Sequence, residues 1–147
     1  MSIFIKEAIV FAIEKEQEAA DFYTGLAQKT NRSELKKELL KFADMEMKHK
    51  RKLQNMDFEN ININPPKEDL KIADYMATKE YTEDLSYEDL IAVAMERELM
   101  AQRLYEDLAK IAIDPKVKEI FEQLSKEEAN HKHYFEVIWD TEVLKEN

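Results

Sequence analysis

Two short stretches carry the residues best equipped for chemistry: Glu46-Met47-Lys48-His49 and Glu128-Ala129-Asn130-His131. Three residues turn an α-helix through about 300°, so a Glu and a His at this spacing share one face and can grip one metal ion. Two such pairs imply two ions. In a chain with 32 acidic residues a single match carries little weight, so the argument turns on where the pairs sit in the elements that must present them.

Composition asks for helices. A chain of 147 residues is one domain's worth, and one Gly with three Pro leaves little turn chemistry for a many-stranded sheet. The absence of cysteine excludes disulfides, thiolate zinc sites, iron–sulfur ligation and a cysteine nucleophile, with a reducing cytoplasm as the default location. A net charge of −10, with no basic patch interleaved with aromatics, argues against nucleic acid. The longest apolar run, Ala8 to Ile13, is hemmed in by Lys6, Glu7 and Glu14. It is too short to span a membrane and no signal-peptide cleavage pattern accompanies it, so a soluble, unexported chain is expected.

Four apolar seams run in steps of three and four. The first reads Ile9, Ala12, Glu16, Ala19, Tyr23, Leu26, and the second Leu35, Leu39, Phe42, Glu46, His49, Leu53, Met56. The third reads Ile91, Ala94, Glu98, Ala101, Tyr105, Leu108, and the fourth Val117, Phe121, Leu124, Glu128, His131, Phe135, Ile138. The spacing predicts helices over about 3–30, 34–58, 86–112 and 115–143. Ser2 and Ser33 stand as N-caps, Ser86 opens the third helix, and Asp114-Pro115 opens the fourth. Glu7, Glu14, Glu18 and His133 fall off the seams and read as surface groups. Asn60 to Pro66 is a breaker, and residues 59–85 read as a long crossover with one short helix at Glu68 to Met76.

The halves repeat. An offset of 82 positions carries Ile9, Ala12, Glu16, Ala19, Tyr23 and Leu26 onto Ile91, Ala94, Glu98, Ala101, Tyr105 and Leu108, and carries Glu46 and His49 onto Glu128 and His131. The expected architecture is all-α, with hairpins over 3–58 and 86–145 related by an approximate two-fold axis. Each seam carboxylate lies near the middle of its helix, so packed rods would bring four Glu and two His to one buried spot. Burying one unpaired carboxylate costs several kcal/mol and four repel one another. No seam carries a Lys or Arg, whereas two divalent cations supply +4 against −4. Oxygen donors with two imidazoles and no sulfur suit iron, with manganese as the alternative; zinc would bind without redox activity.

One Glu on each of two helices plus Glu-x-x-His on each of the other two resembles the ferritin-like di-iron carboxylate bundles. Within that group the near-symmetric halves, Glu16 followed by Tyr23, and Ala43-Asp44-Met45-Glu46-Met47-Lys48-His49 resemble the rubrerythrin family over nearly the whole chain. The resemblance implies a single ferritin-like four-helix domain with Glu16 and Glu98 as terminal ligands, Glu46 and Glu128 as bridges, and His49 and His131 each completing one iron. Tyr23 and Tyr105 either stand beside the ligands or are core tyrosines with satisfied hydroxyls. Family members can carry an extra carboxylate on the third helix, for which Glu96 lies off the face; Glu127, next to a ligand, is not selected by the repeat.

Full-length rubrerythrins also carry a rubredoxin-like domain whose four cysteines hold an electron-transferring iron. A member without cysteine is expected to draw electrons from a separate donor such as a rubredoxin or flavoprotein. The implied function is reduction of hydrogen peroxide, or dioxygen, at a di-iron centre; the alternative is a ferroxidase or iron-storage role. Apolar residues outside the seams, including Phe4, Phe11, Phe22, Met95, Leu99, Leu104 and Trp139, read mostly as the wide apolar face of globular helices, with some of them forming the interface of an expected homodimer.

Overall fold

The computed structural model describes residues 3–57, 60–63, 71–77 and 84–143. Four long helices dominate them: α1, Ile3–Lys29; α2, Ser33–Gln54; α3, Tyr87–Ile111; and α4, Pro115–Ile138. No strand occurs among the described residues, where an isolated bridge between Ile63 and Ala112 is the sole β pairing. The expected all-α class is therefore met.

The chain divides into two compact units, Met1–Ile61 and Asn62–Asn147. In the first, α1 packs on α2. Their shared core holds Ile5, Ile9, Ala12, Tyr23 and Leu26 from α1 and Leu35, Leu39, Phe42 and Leu53 from α2. In the second, α3 packs on α4 through Ile91, Ala94, Tyr105 and Leu108 against Phe121, Leu124, Phe135 and Ile138. Each buried set is one stripe of a 3.6-residue helix, and covering it gives the stability that an isolated helix lacks.

Local chemistry sets the helix ends. The Ser86 hydroxyl accepts from Asp89 N at 3.1 Å and opens α3. The Asp114 carboxylate accepts from Lys116 N at 2.9 Å, and Pro115, which lacks an N–H, occupies the first helical position of α4. The cap expected at Ser33 is displaced by one residue. Arg32 is the N-cap and makes no side-chain capping bond, and its N–H instead donates to Thr30 Oγ1 at 3.2 Å. The Ser2 cap lies outside the described residues. α2 stops at Gln54 rather than 58, and Asn55 N donates to Arg51 O at 3.0 Å to close it. Beyond Ile138 the fourth helix widens into one π turn, Trp139–Val143.

The crossover joins the second unit. Ile113 N donates to Asn62 O at 3.0 Å beside the Ile63–Ala112 bridge. Of the short helix expected at 68–76, residues 68–70 lie outside the described set, and the rest forms a 3₁₀ turn, Ile72–Tyr75. It buries Tyr75, whose hydroxyl donates to Asp107 Oδ2 on α3 at 2.8 Å.

Candidate metal centre

Glu16 lies mid-way along α1, and Glu46 and His49 lie one helical turn apart on α2. All three occupy the buried stripe, where apolar neighbours one turn away hold them inward: Ala12 on α1, Phe42 and Leu53 on α2. The second unit repeats the arrangement with Glu98 on α3 and Glu128 and His131 on α4. None of the six is more than 4% exposed.

In the first hairpin His49 Nδ1 stands 3.5 Å from Glu16 Oε2 and 3.6 Å from Glu46 Oε1. In the second, His131 Nδ1 stands 3.7 Å from Glu98 Oε1. Each triad, Glu16–Glu46–His49 and Glu98–Glu128–His131, brings one ligand atom per residue within 4.8 Å of the others.

These separations exceed the usual N–H···O hydrogen-bond range of about 2.7–3.2 Å. Two atoms each about 2.0–2.2 Å from a metal at near-right or tetrahedral angles stand roughly 2.8–3.6 Å apart, and the observed separations lie at the wide end of that range or just beyond it. The donor set fits equally well. Two buried carboxylates per hairpin would be balanced by a divalent cation, which would remove the cost of isolated buried charge, and oxygen with imidazole nitrogen suits iron or manganese.

The groups read as surface residues are so placed: Glu7, Glu14, Glu18 and His133 are exposed. Glu96 and Glu127 are half-buried, and Glu127 accepts from Gln123 Nε2 at 3.2 Å. Tyr23 and Tyr105 are buried with their rings in the hairpin cores. Tyr23 meets Phe42 edge-on at 5.9 Å, and Tyr105 stacks on Phe121 at 6.4 Å. Ala19 and Ala101, expected in the seams, are only half-buried, as is Val117.

Two polar pairs beside the ligands were not anticipated. Lys50, next to His49, donates from Nζ to Oε1 of Gln17, next to Glu16, at 2.7 Å and ties α2 to α1. Ser125, three residues before Glu128, donates to Gln102 O at 3.3 Å and ties α4 to α3. The Gln102 side chain donates to Glu106 at 2.9 Å, while its buried Oε1 has no hydrogen-bond partner among the described residues. The signal was available in the repeat, where Gln102 and Ser125 replace Ala20 and Ala43 at the 82-position offset. The ligands obey the internal symmetry and their polar surroundings do not.

No curated protein matches the chain. Residues 7–138 match the Rubrerythrin family from the first helix to the end of the fourth. A match of that extent, running through both hairpins, makes this chain a member of the rubrerythrin family and its fold an all-α, ferritin-like four-helix bundle.

Proposed function

We propose that the two triads hold two iron ions, and that the protein reduces hydrogen peroxide with electrons from a separate donor. The observation that carries this reading is the duplicated, buried Glu16–Glu46–His49 and Glu98–Glu128–His131 set inside the matched region. Held by these residues, two iron ions would supply the two electrons that, with two protons, turn one peroxide into two waters.

The chain's own residues prepare the site for that chemistry. Four carboxylates would offset the charge of two divalent ions, and the two imidazoles would add a nitrogen donor from each hairpin. Fully buried Ile9, Leu39 and Leu53 in the first unit, and Ile91, Leu124 and Phe135 in the second, keep bulk water from the ligands. By the family resemblance Glu46 and Glu128 would be shared ligands and Glu16 and Glu98 terminal ones. Tyr23 and Tyr105, which follow those terminal ligands by two helical turns, complete the surroundings.

These 147 residues contain no cysteine to hold an electron-transferring iron, so on this reading the electrons reach the centre from outside them. No helix among the described residues is long and apolar enough to cross a membrane. The reading takes the chain as one domain acting as a cytoplasmic homodimer, for which the half-buried Phe4, Phe11, Met95, Leu99 and Trp139 offer apolar surface.

Anaerobic loading with ferrous iron followed by titration with peroxide tests the reading. Two irons per chain, oxidised by one equivalent of peroxide, are expected. Faster reaction with dioxygen followed by release of the oxidised iron would replace it with iron handling, and no stoichiometric iron would overturn it.

A further inference from the structure

The strongest departure from the internal repeat is a charge. Lys48-His49-Lys50-Arg51-Lys52 puts four cations in five positions of a chain whose net charge is −10, and no acidic residue follows on α2. At the 82-position offset the second hairpin has Asn130-His131-Lys132-His133-Tyr134, with one cation, and Lys132 lies 3.3 Å from Glu136.

The cations continue a stripe along the outer face of α2. Lys36, Lys37, Lys41, Lys48, Arg51 and Lys52 are all exposed. Within α2 two of the exposed or half-buried acids are paired, Asp44 3.0 Å from Lys48 and Glu38 3.4 Å from Lys41, and the third, Glu34, stands in the first turn, before the stripe begins. Lys36, Lys37, Arg51 and Lys52 have no ion-pair partner among the described residues. The helix dipole accounts for part of this, because cations in a last turn offset its negative end. It does not account for the whole stripe, since the last turns of α1 and α3 carry one lysine each and that of α4 carries none.

The stripe lies directly outside a ligand. His49 is buried on the inner face of α2 and its sequence neighbours Lys48 and Lys50 flank it. An α-helix with side chains is about 10–12 Å across, so a protein resting on the outer face comes within roughly 12 Å of the imidazole. We propose that the outer face of α2, from Lys37 to Lys52, is the docking surface for a small acidic electron-carrying protein. This rests on the proposed redox function, and it names the surface and the charge of the donor that function requires. Each docking passes one electron inward and leaves the donor oxidised by one; two dockings return the two electrons that one peroxide removes. Nucleic acid is the other polyanion such a stripe could meet, but the segment's Phe42 is buried in the hairpin core and offers no ring to stack on bases, and the chain's overall negative charge opposes a long phosphate backbone.

The test uses the isotope-labelled full chain as purified, titrated with zinc-substituted acidic rubredoxin as a redox-silent probe. Amide shifts should concentrate on the outward residues of α2 and fade as salt rises toward about 0.3 M, where the Debye length is below 8 Å. Arg51→Gln with Lys52→Gln should weaken binding several-fold, and Arg51→Glu with Lys52→Glu should weaken it further. With iron-loaded protein and native rubredoxin the charge-reversed variant should be reduced about tenfold more slowly, while reduction by a neutral hydroquinone stays unchanged. Shifts centred elsewhere, equal binding by the glutamine variant, or tighter binding of a short DNA duplex at the same residues would overturn the proposal. If iron cannot be loaded, the redox reading fails, and the titration still decides the docking surface independently.

Discussion

His49 on α2 holds its Nδ1 3.5 Å from Oε2 of Glu16 on α1, and the same approach recurs between His131 and Glu98 at 3.7 Å in the other hairpin. A contact between helices, reproduced by both halves of the repeat, joins a carboxylate of one helix to the Glu-x-x-His pair that the other supplies alone. Each hairpin thereby gathers two carboxylates and an imidazole, donors of the kind that bind a metal ion.

Glu46→Ala combined with Glu128→Ala should remove both ions, because each hairpin loses a carboxylate from its triad. The metal-free variant should remain folded and be at least as stable as the metal-free parent, since two buried like charges are gone. Iron analysis and thermal unfolding followed by circular dichroism measure both effects, and undiminished iron would refute the ligand set. Glu14→Ala, at an exposed position of α1, should leave iron content unchanged and stability within about 0.5 kcal/mol.

The two histidines should be separable. His49→Ala weakens the ion held by the first hairpin and His131→Ala the ion held by the second, so each variant should keep one of two binding steps. The lost step should weaken by more than the ten- to hundredfold typical of residues that merely support a ligand. Stepwise metal titration reads this directly; simultaneous loss of both steps in either variant would mean that the hairpins do not act as distinct donor sets.

Tyr75→Phe should loosen the crossover from α3. The change deletes the hydrogen bond to Asp107 and should cost about 1.5–3 kcal/mol, as expected for a bond to a charged acceptor. Burial first, and then the Asp107 carboxylate, push the Tyr75 hydroxyl well above its ordinary value of 10.0. The folded protein thus favours the protonated phenol. Its contribution is complete below pH 10 and declines as pH rises above it towards the raised value. Denaturant titrations across the alkaline range should show that decline in the parent and not in Tyr75→Phe.

Phe121→Ala should cost about 3–5 kcal/mol, because Phe121 is fully buried against the Tyr105 ring. Tyr23→Phe and Tyr105→Phe keep the ring packing and should change stability by less than about 1.5 kcal/mol. If the hydroxyls serve the centre, peroxide oxidation of the loaded protein slows in these two variants while their unfolding midpoints hold. If both quantities stay unchanged, the tyrosines act as core residues alone.

The helices and the six candidate ligands were legible in the sequence because helical periodicity leaves little freedom. A Glu or His spaced in step with Ile9, Leu39, Ile91 or Phe121 must share their buried face, and Asp114-Pro115 can start a helix but cannot continue one. The 82-position repeat extended that logic from one hairpin to the other. Tertiary packing decided what a period cannot express. Ala19 and Ala101 keep the rhythm of their seams yet remain half-buried, because a neighbouring helix covers only part of the stripe. Arg32 caps α2 in place of Ser33, and Tyr75 reaches Asp107 across 32 positions of chain. The Ser125–Gln102 and Lys50–Gln17 links likewise depend on which side chains meet when two helices pack. Local spacing determined which residues face inward, and only the fold could determine what they meet there.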